Sequence, residues 1–255
     1  MVKGMNVENE INKIASFIRN VFRDSKANGV AVGLSGGIDS STTAALCTRA
    51  IGKENVVGFI LPCYSEEQDQ NDALLVIKYL DIEYKIIDLS KIYDTYIELM
   101  PKDQELNELA KANLKPRIRM STLYFFANQM NYLVTGTTNK SEQLVGYFTK
   151  YGDVADFYPI KHLYKKYVRL IAQFLRLPPK ILNRTSTAGL WAGQTTEGEI
   201  SEQLGFDITY KTLDDMLEHL EKQDFDTMDD RYQKLFALVQ KNVHKSLLAP
   251  ALEGI

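Results

Sequence analysis

The stretch Ser35-Gly36-Gly37-Ile38-Asp39-Ser40-Ser41 follows the apolar run Val30-Ala31-Val32-Gly33-Leu34 and opens a segment, Ser40 to Ile51, rich in alanine and leucine. A short apolar run that ends in glycines reads as a buried strand, and the segment after it as a helix. The quoted residues therefore form a strand-to-helix turn. Its glycines let the backbone turn sharply and approach an anion closely. The helix start at Asp39 to Ser41 offers free backbone N–H groups and the positive end of the helix dipole, and Ser35, Ser40 and Ser41 add hydroxyl donors. The turn is thus expected to hold phosphate. Asp39 would repel a bare phosphate, so a bridging divalent cation is expected with it. An ordinary turn with Asp39 as N-cap is the plainer alternative. No Gly-Lys-Ser/Thr closes the loop, so it is not the common P-loop.

Working outward, apolar residues from Val7 to Phe22 recur at helical spacing (Val7, Ile11, Ile14, Phe17, Ile18, Val21, Phe22), and the helix should end near Asn28-Gly29. Val56 to Leu61 reads as a second strand, Asp72 to Leu80 as a helix, and Tyr84 to Leu89 as a third strand. Arg117 to Met130 reads as a helix and Tyr132 to Gly136 as a fourth strand. Strands alternating with helices predict an α/β fold, a doubly wound parallel sheet with flanking helices and right-handed crossovers. After Thr137 a polar, glycine-containing loop is expected to about Pro159, then helices at Tyr167 to Leu175 and Arg231 to His244. Lys102 to Lys111 reads as a solvated loop or helix face.

The 255 residues suit one well-buried domain over 1–255 rather than two. A net charge of only -3 gives no reason to expect a nucleic-acid partner. Cys47 and Cys63 form neither a C-x-x-C pair nor a zinc set, which suits reduced thiols in a cytoplasmic protein. The polar, acidic Met1 to Glu10 has no signal-peptide pattern. No apolar run reaches the ~20 residues of a membrane span, so no membrane partner is expected.

The turn resembles the S-G-G-x-D-S loop of the ATP pyrophosphatases, in which the loop holds the phosphates that leave as pyrophosphate. Other segments narrow the resemblance: Lys115-Pro116-Arg117-Ile118-Arg119-Met120, Thr135-Gly136-Thr137-Thr138-Asn139-Lys140-Ser141-Glu142, Gly146 to Asp153, and Ser186-Thr187-Ala188-Gly189-Leu190-Trp191 with Gly193-Gln194-Thr195. Together and in this order they resemble the ammonia-dependent NAD synthetases, from about Phe17 to Lys245. The resemblance implies a Rossmann-like fold of the adenine nucleotide alpha hydrolase type. It also implies a reaction: the carboxylate of deamido-NAD attacks the α-phosphate of ATP, and ammonia then displaces AMP. By position in the matching motifs, Gly33, Leu34, Ser35, Gly36, Gly37, Ile38, Asp39 and Ser40 would bind ATP, with Thr137, Lys165 and Thr187. Asp39 and Glu142 would hold Mg2+. Arg117, Lys150, Asp156, His244 and Lys245 would hold deamido-NAD, and Lys165 and Asp156 would be catalytic. The loop Gly152 to Asp156 is one residue shorter than in many relatives, so the substrate-binding aspartate could be Asp153 or Asp156. Its spacing to Pro159 favours Asp156. A homodimer with the dinucleotide site near its interface is also implied.

A fused glutaminase would need ~250 further residues and a cysteine nucleophile beside a base. Neither cysteine has that setting, so free ammonia, or a separate glutaminase, is the expected donor. Two other functions use the same turn. A tRNA-modifying relative would want a basic surface and often a cysteine pair. A regulatory ATP-binding module would not need a second substrate site, which Lys115 to Met120 and Thr149 to Asp156 resemble.

Overall fold

The computed structural model describes residues 5–101, 105–191, 193–222 and 229–247. Helix α1, Val7–Ser25, starts at Asn6, whose side chain accepts from the Asn9 N–H, and stops at Lys26 in the left-handed region. Its Ile11, Ile14, Ala15 and Ile18 face inward. Strand β1 (Gly29–Gly33) leads through the glycine turn into α2 (Ile38–Ile51). Strand β2 (Val56–Ile60), α3 (Glu67–Leu80) and β3 (Glu83–Ile86) follow. Then come α4 (Ser90–Glu98), α5 (Glu108–Met130) and β4 (Tyr132–Thr135).

The strands lie in the order β3-β2-β1-β4 and every pairing is parallel. The doubly wound α/β sheet expected from the alternation is therefore present. Residues of β1 alternate in the side they serve. Val30 and Val32 join α1, α2, α3 and α7 in one apolar cluster, while Ala31 joins Phe59, Val134 and the α5 residues Ile118, Leu123 and Ala127 in another. The chain moves outward from β1 through β2 to β3, then crosses back to place β4 on the other side of β1. The crevice beyond the carboxyl ends of β1 and β4 is thus the topological switch point, where open α/β sheets bind ligands. Asp156 and Gly136 extend this edge: the Asp156 N–H donates to Val134 O at 2.9 Å, and the Gly136 N–H to Phe157 O at 2.8 Å.

The second half is helical: α6 (Lys140–Val145), α7 (Lys165–Phe174), α8 (Pro179–Leu182), α9 (Thr196–Leu204), α10 (Tyr210–Glu221) and α11 (Asp230–Ser246). Val145, Tyr164, Ile200, Leu204, Leu213, Leu217 and Leu235 form their shared core. Helix α7 joins the two halves, because Val168 and Ile171 pack under the sheet while Tyr164 turns to this second core.

Besides shifted ends, with α3 starting at Glu67 rather than Asp72 and β3 ending at Ile86 rather than Leu89, the elements depart from the sequence expectations in three places. Helix α5 begins at Glu108, not after Pro116, and carries Pro116 in its interior. A proline there costs about 3 kcal/mol. Burial of Ala112, Lys115, Pro116 and Ile118 and the N-cap Asn107, which accepts from the Ala110 N–H at 3.1 Å, offset it. The expected polar loop after Thr137 contains α6. Helices α4, α8, α9 and α10 have no counterpart among the sequence expectations: α8 is a single turn and α9 has few apolar positions, whereas α10 does carry a helical pattern in Tyr210, Leu213, Met216 and Leu217. Cys47 and Cys63 are free and buried, and burial pushes the Cys47 thiol up to about 12. Among the described residues no helix is long and apolar enough to cross a membrane.

Candidate active site

A cavity of about 750 Å³ opens at the switch point, walled by residues that follow β1, β2 and β4, by α5, and by the segment before α9. The glycine turn forms its floor. Gly36 has φ +73°, and a Cβ there would lie 2.7 Å from both Asp69 O and Asp72 Cβ, so only glycine lets the turn sit this close to α3. Gly37 is the N-cap of α2 and no side chain caps the helix. Its first N–H groups are therefore available to a ligand. The Ser40 and Ser41 hydroxyls donate to Gly37 O at 3.1 and 2.7 Å, and Ser35 and Ser40 share a hydroxyl bond of 3.2 Å.

Asp39 lies in the first turn of α2 rather than at its cap. Its carboxylate accepts from Asn139 Nδ2 at 3.0 Å and from Lys165 Nζ. Lys165 Nζ also lies 3.3 Å from Glu142 Oε1, which accepts from the Tyr210 hydroxyl at 3.1 Å. Three separate elements thus converge: α2 brings Asp39, α6 brings Glu142 and α7 brings Lys165. Asn139 couples the first two, since it is fully buried and its Oδ1 caps α6 by accepting from the Glu142 N–H at 3.0 Å. Lys165 is fixed at the start of α7. Its N–H donates to Ser141 Oγ at 2.9 Å, the Lys166 N–H donates to Asp214 Oδ2 at 2.8 Å, and Ser141 donates to Asp214.

The charges respond to this crowding. Burial opposes the Lys165 charge, but Asp39 and Glu142 outweigh it and hold the ammonium above its ordinary range. Burial, with the Asp39 charge, pushes Glu142 up to about 7, against the pull of Lys165. Burial also pushes Asp214 up to about 6, although its bonds from Ser141 and the Lys166 N–H work the other way. The donor set fits a magnesium ion: two carboxylates already share one cation, the Lys165 ammonium, and hard oxygen donors suit Mg2+, which takes its other ligands from phosphate and water.

Of the sequence-predicted residues, Gly33, Leu34, Ser35, Gly37, Ile38, Asp39, Ser40, Thr137, Glu142, Lys165, Thr187 and Lys245 line the cavity, and Gly36 backs the turn. Lys245 donates to Gly146 O and lies 4.7 Å from the Phe148 ring. Arg117, Lys150, Asp156 and His244 are not part of the cavity wall. Arg117 donates to Lys150 O at 3.3 Å, Lys150 to His244 O at 2.9 Å, and His244 Nδ1 lies 3.0 Å from Lys241 O. Asp156 accepts from the Val134 N–H at 2.7 Å and from the Tyr124 hydroxyl at 3.1 Å, while Asp153 is on the wall. The reading missed Asn139, Tyr210, Arg119 and Arg184. Arg119 does carry a signal: it lies two positions from Arg117, so on a helix the two point to opposite sides. Arg119 takes the inner side, donating to Leu61 O at 2.9 Å.

A parallel sheet whose central strand runs through a glycine turn into an uncapped helix, beside a carboxylate-lysine cluster, defines the class of nucleotide-binding α/β proteins. Comparison with known sequences and structures names the member. The model of the family described as NAD synthase matches residues 10–249, and the chain belongs to the NAD synthase family, whose members are ligases. An NH(3)-dependent NAD(+) synthetase of Archaeoglobus fulgidus is 44% identical over 96% of this chain and 97% of its own. The NH3-dependent NAD synthetase structure from Campylobacter jejuni is similar with a TM-score of 0.81 and 34% identity, over 98% of this chain and all (100%) of the other. An NMN synthetase structure from Francisella tularensis reaches a TM-score of 0.86 at 31% identity, also over 98% and 100%.

Proposed function

We propose that this enzyme amidates deamido-NAD with ammonia at the expense of ATP. The observation that carries the reading is the convergence of Asp39, Glu142 and Lys165 beside the uncapped start of α2. The free N–H groups of α2 and the turn bind the β and γ phosphates, and Thr137 and Thr187 contact the nucleotide. Asp39 and Glu142 hold Mg2+, which when bound neutralises phosphate charge. A carboxylate oxygen of the nicotinate ring forms a bond to the α-phosphorus as the bond to pyrophosphate breaks. Lys165 moves from the carboxylates to the phosphates and stabilises the charge that develops there. The ammonia nitrogen then bonds to the activated carbonyl carbon, AMP leaves with the electron pair of the broken C–O bond, and the nitrogen gives up a proton. The walls built from Phe148, Leu190 and Trp191 keep water from the anhydride.

Arg117, Lys150, Asp156, His244 and Lys245 bind the dinucleotide in this reading, with Asp156 also catalytic. Four of them lie outside the cavity of one chain, which supports a homodimer whose partner completes that part of the site. Exposed apolar side chains on β3, α4 and α5, among them Ile86, Ile92, Tyr96, Leu109 and Phe125, support it too. Two free, buried cysteines support a cytoplasmic setting. The test is direct. The purified protein with ATP, magnesium, ammonium and deamido-NAD should form NAD, AMP and pyrophosphate in equal amounts; absence of AMP formation refutes the reading. The same placement of Arg117, Lys150, Asp156 and His244 favours one second reading, nicotinate mononucleotide as the acid, because that smaller substrate would not need them. A comparison of kcat/KM for the two acids decides between them.

A further inference from the structure

Arg184 lines the same cavity as Lys165, and the proposed reaction gives it no role. Its guanidinium is pressed against the glycine turn: a Cβ on Gly36 would lie 2.8 Å from Arg184 Nη1. The fork is held from behind. Nη1 donates to Asp72 Oδ2 at 2.8 Å and Nη2 donates to Asp69. Asp72 is itself almost sealed, and its other oxygen accepts from Gln68 Nε2 at 2.6 Å and lies 2.9 Å from Lys180 Nζ. Arg184 and Lys180 thus balance Asp69 and Asp72, so the cluster presents no net negative charge to an approaching phosphate. Only 15% of the Arg184 side chain is exposed, and it lines the cavity.

A guanidinium carries more N–H donors than two single bonds consume. Among the described residues, the only side-chain bonds of Arg184 are those to Asp69 and Asp72. Its remaining donors are fixed in direction by those carboxylates, beside the turn where anions are expected. This is the arrangement in which an arginine recognises phosphate best, since the planar fork is already oriented. Lys165 cannot serve the same end of the nucleotide while it spans Asp39 and Glu142.

We propose that Arg184 is a further polyphosphate-binding residue: held against the glycine turn by Asp69 and Asp72, its guanidinium donates to the pyrophosphoryl group of ATP. This rests on the function proposed above and assigns the leaving group's end of that site. It departs from a purely structural latch, which would affect both substrates alike.

The experiment is calorimetric titration of pyrophosphate with magnesium into the wild-type protein, R184Q and R184K, with KM measured for ATP and for deamido-NAD. Loss of a charge-assisted bond should weaken pyrophosphate about tenfold to hundredfold in R184Q, raise KM for ATP similarly, and leave KM for deamido-NAD unchanged. R184K should recover part of the affinity. A folded R184Q that binds pyrophosphate as the wild type does, or that loses both KM values equally, overturns the proposal. If R184Q does not fold, R184K decides: weaker pyrophosphate binding at an unchanged KM for deamido-NAD supports the proposal, and unchanged binding overturns it. A wild-type protein that binds no pyrophosphate refutes the ATP-dependent function itself, a result separate from the comparison of variants.

Discussion

At the scale of residues, Lys165 holds the site together before any ligand arrives. It is 1% exposed and its ammonium separates two carboxylates. Removing one partner of a buried ion pair costs about 3–5 kcal/mol because the remaining charge is left uncompensated. Lys165→Met should therefore melt at a lower temperature, and magnesium should restore more of that loss than it adds to the wild type. Thermal scans with and without magnesium check this, and equal magnesium effects on both proteins would contradict the cation-site reading. Gly36 gives a second test. Gly36→Ala places a methyl against Asp69 O and Asp72 Cβ at a positive φ, so a loss of about 1–3 kcal/mol is expected, with a larger fall in affinity for ATP than for deamido-NAD, read by equilibrium binding. The phosphate turn and Asp39 are legible in the sequence because the donors and the acid stand in consecutive residues, whereas Glu142 is expected only from the family resemblance. Tyr210 and Arg184 are not legible there. Each acts on a partner more than sixty residues away, Glu142 and Asp72 respectively, and no local pattern marks such a meeting.

Elements show the same division. The apolar runs of β1 and β2 mark them as strands, since a strand buried on both faces leaves an uninterrupted signature, and β4 at the sheet edge keeps the run although its first two residues are half-buried. Helix α5 extends nine residues ahead of the Arg117 start that the proline signal predicts, because tertiary packing prevails over local propensity. Its true start depends on Asn107, and Asn107→Ala should cost about 1 kcal/mol, measurable by chemical denaturation. A helix that began only after Pro116 would be indifferent to it. The joint of α6, α7 and α10 rests on Asp214, which is fully buried between Ser141 and the Lys166 N–H. Burial pushes its carboxyl in the folded protein up to about 6, from the ordinary 3.8 of an aspartate. The folded state therefore binds the proton more tightly than the unfolded chain does. Stability from this group is complete below pH ~4 and falls as pH rises towards ~6, by about 3 kcal/mol at most, beyond which it is flat. Asp214→Asn should flatten that part of the stability profile, as urea midpoints at pH 4 to 7 would show.

For the whole molecule, the decisive property is that β1 sits inside the sheet, with β2 on one side and β4 on the other. Placing the first strand in the middle puts the glycine turn at the crevice and brings the β4 loop, with Asn139 and Glu142, to face it. The same layout governs how the protein can be made. On the ribosome, β2 reaches β1 early, whereas Tyr132–Thr135 emerges on the order of ten seconds later at usual rates of synthesis. Throughout that interval one full edge of this buried strand is uncovered, and such an edge is a template for association with other chains. Nascent chains arrested at Met130 should therefore be held by chaperones and cut readily by protease, and those extended through Phe157 and α7 should resist both. A cell that slows translation between β3 and β4 would lengthen the exposure of this strand without changing a residue of the finished enzyme.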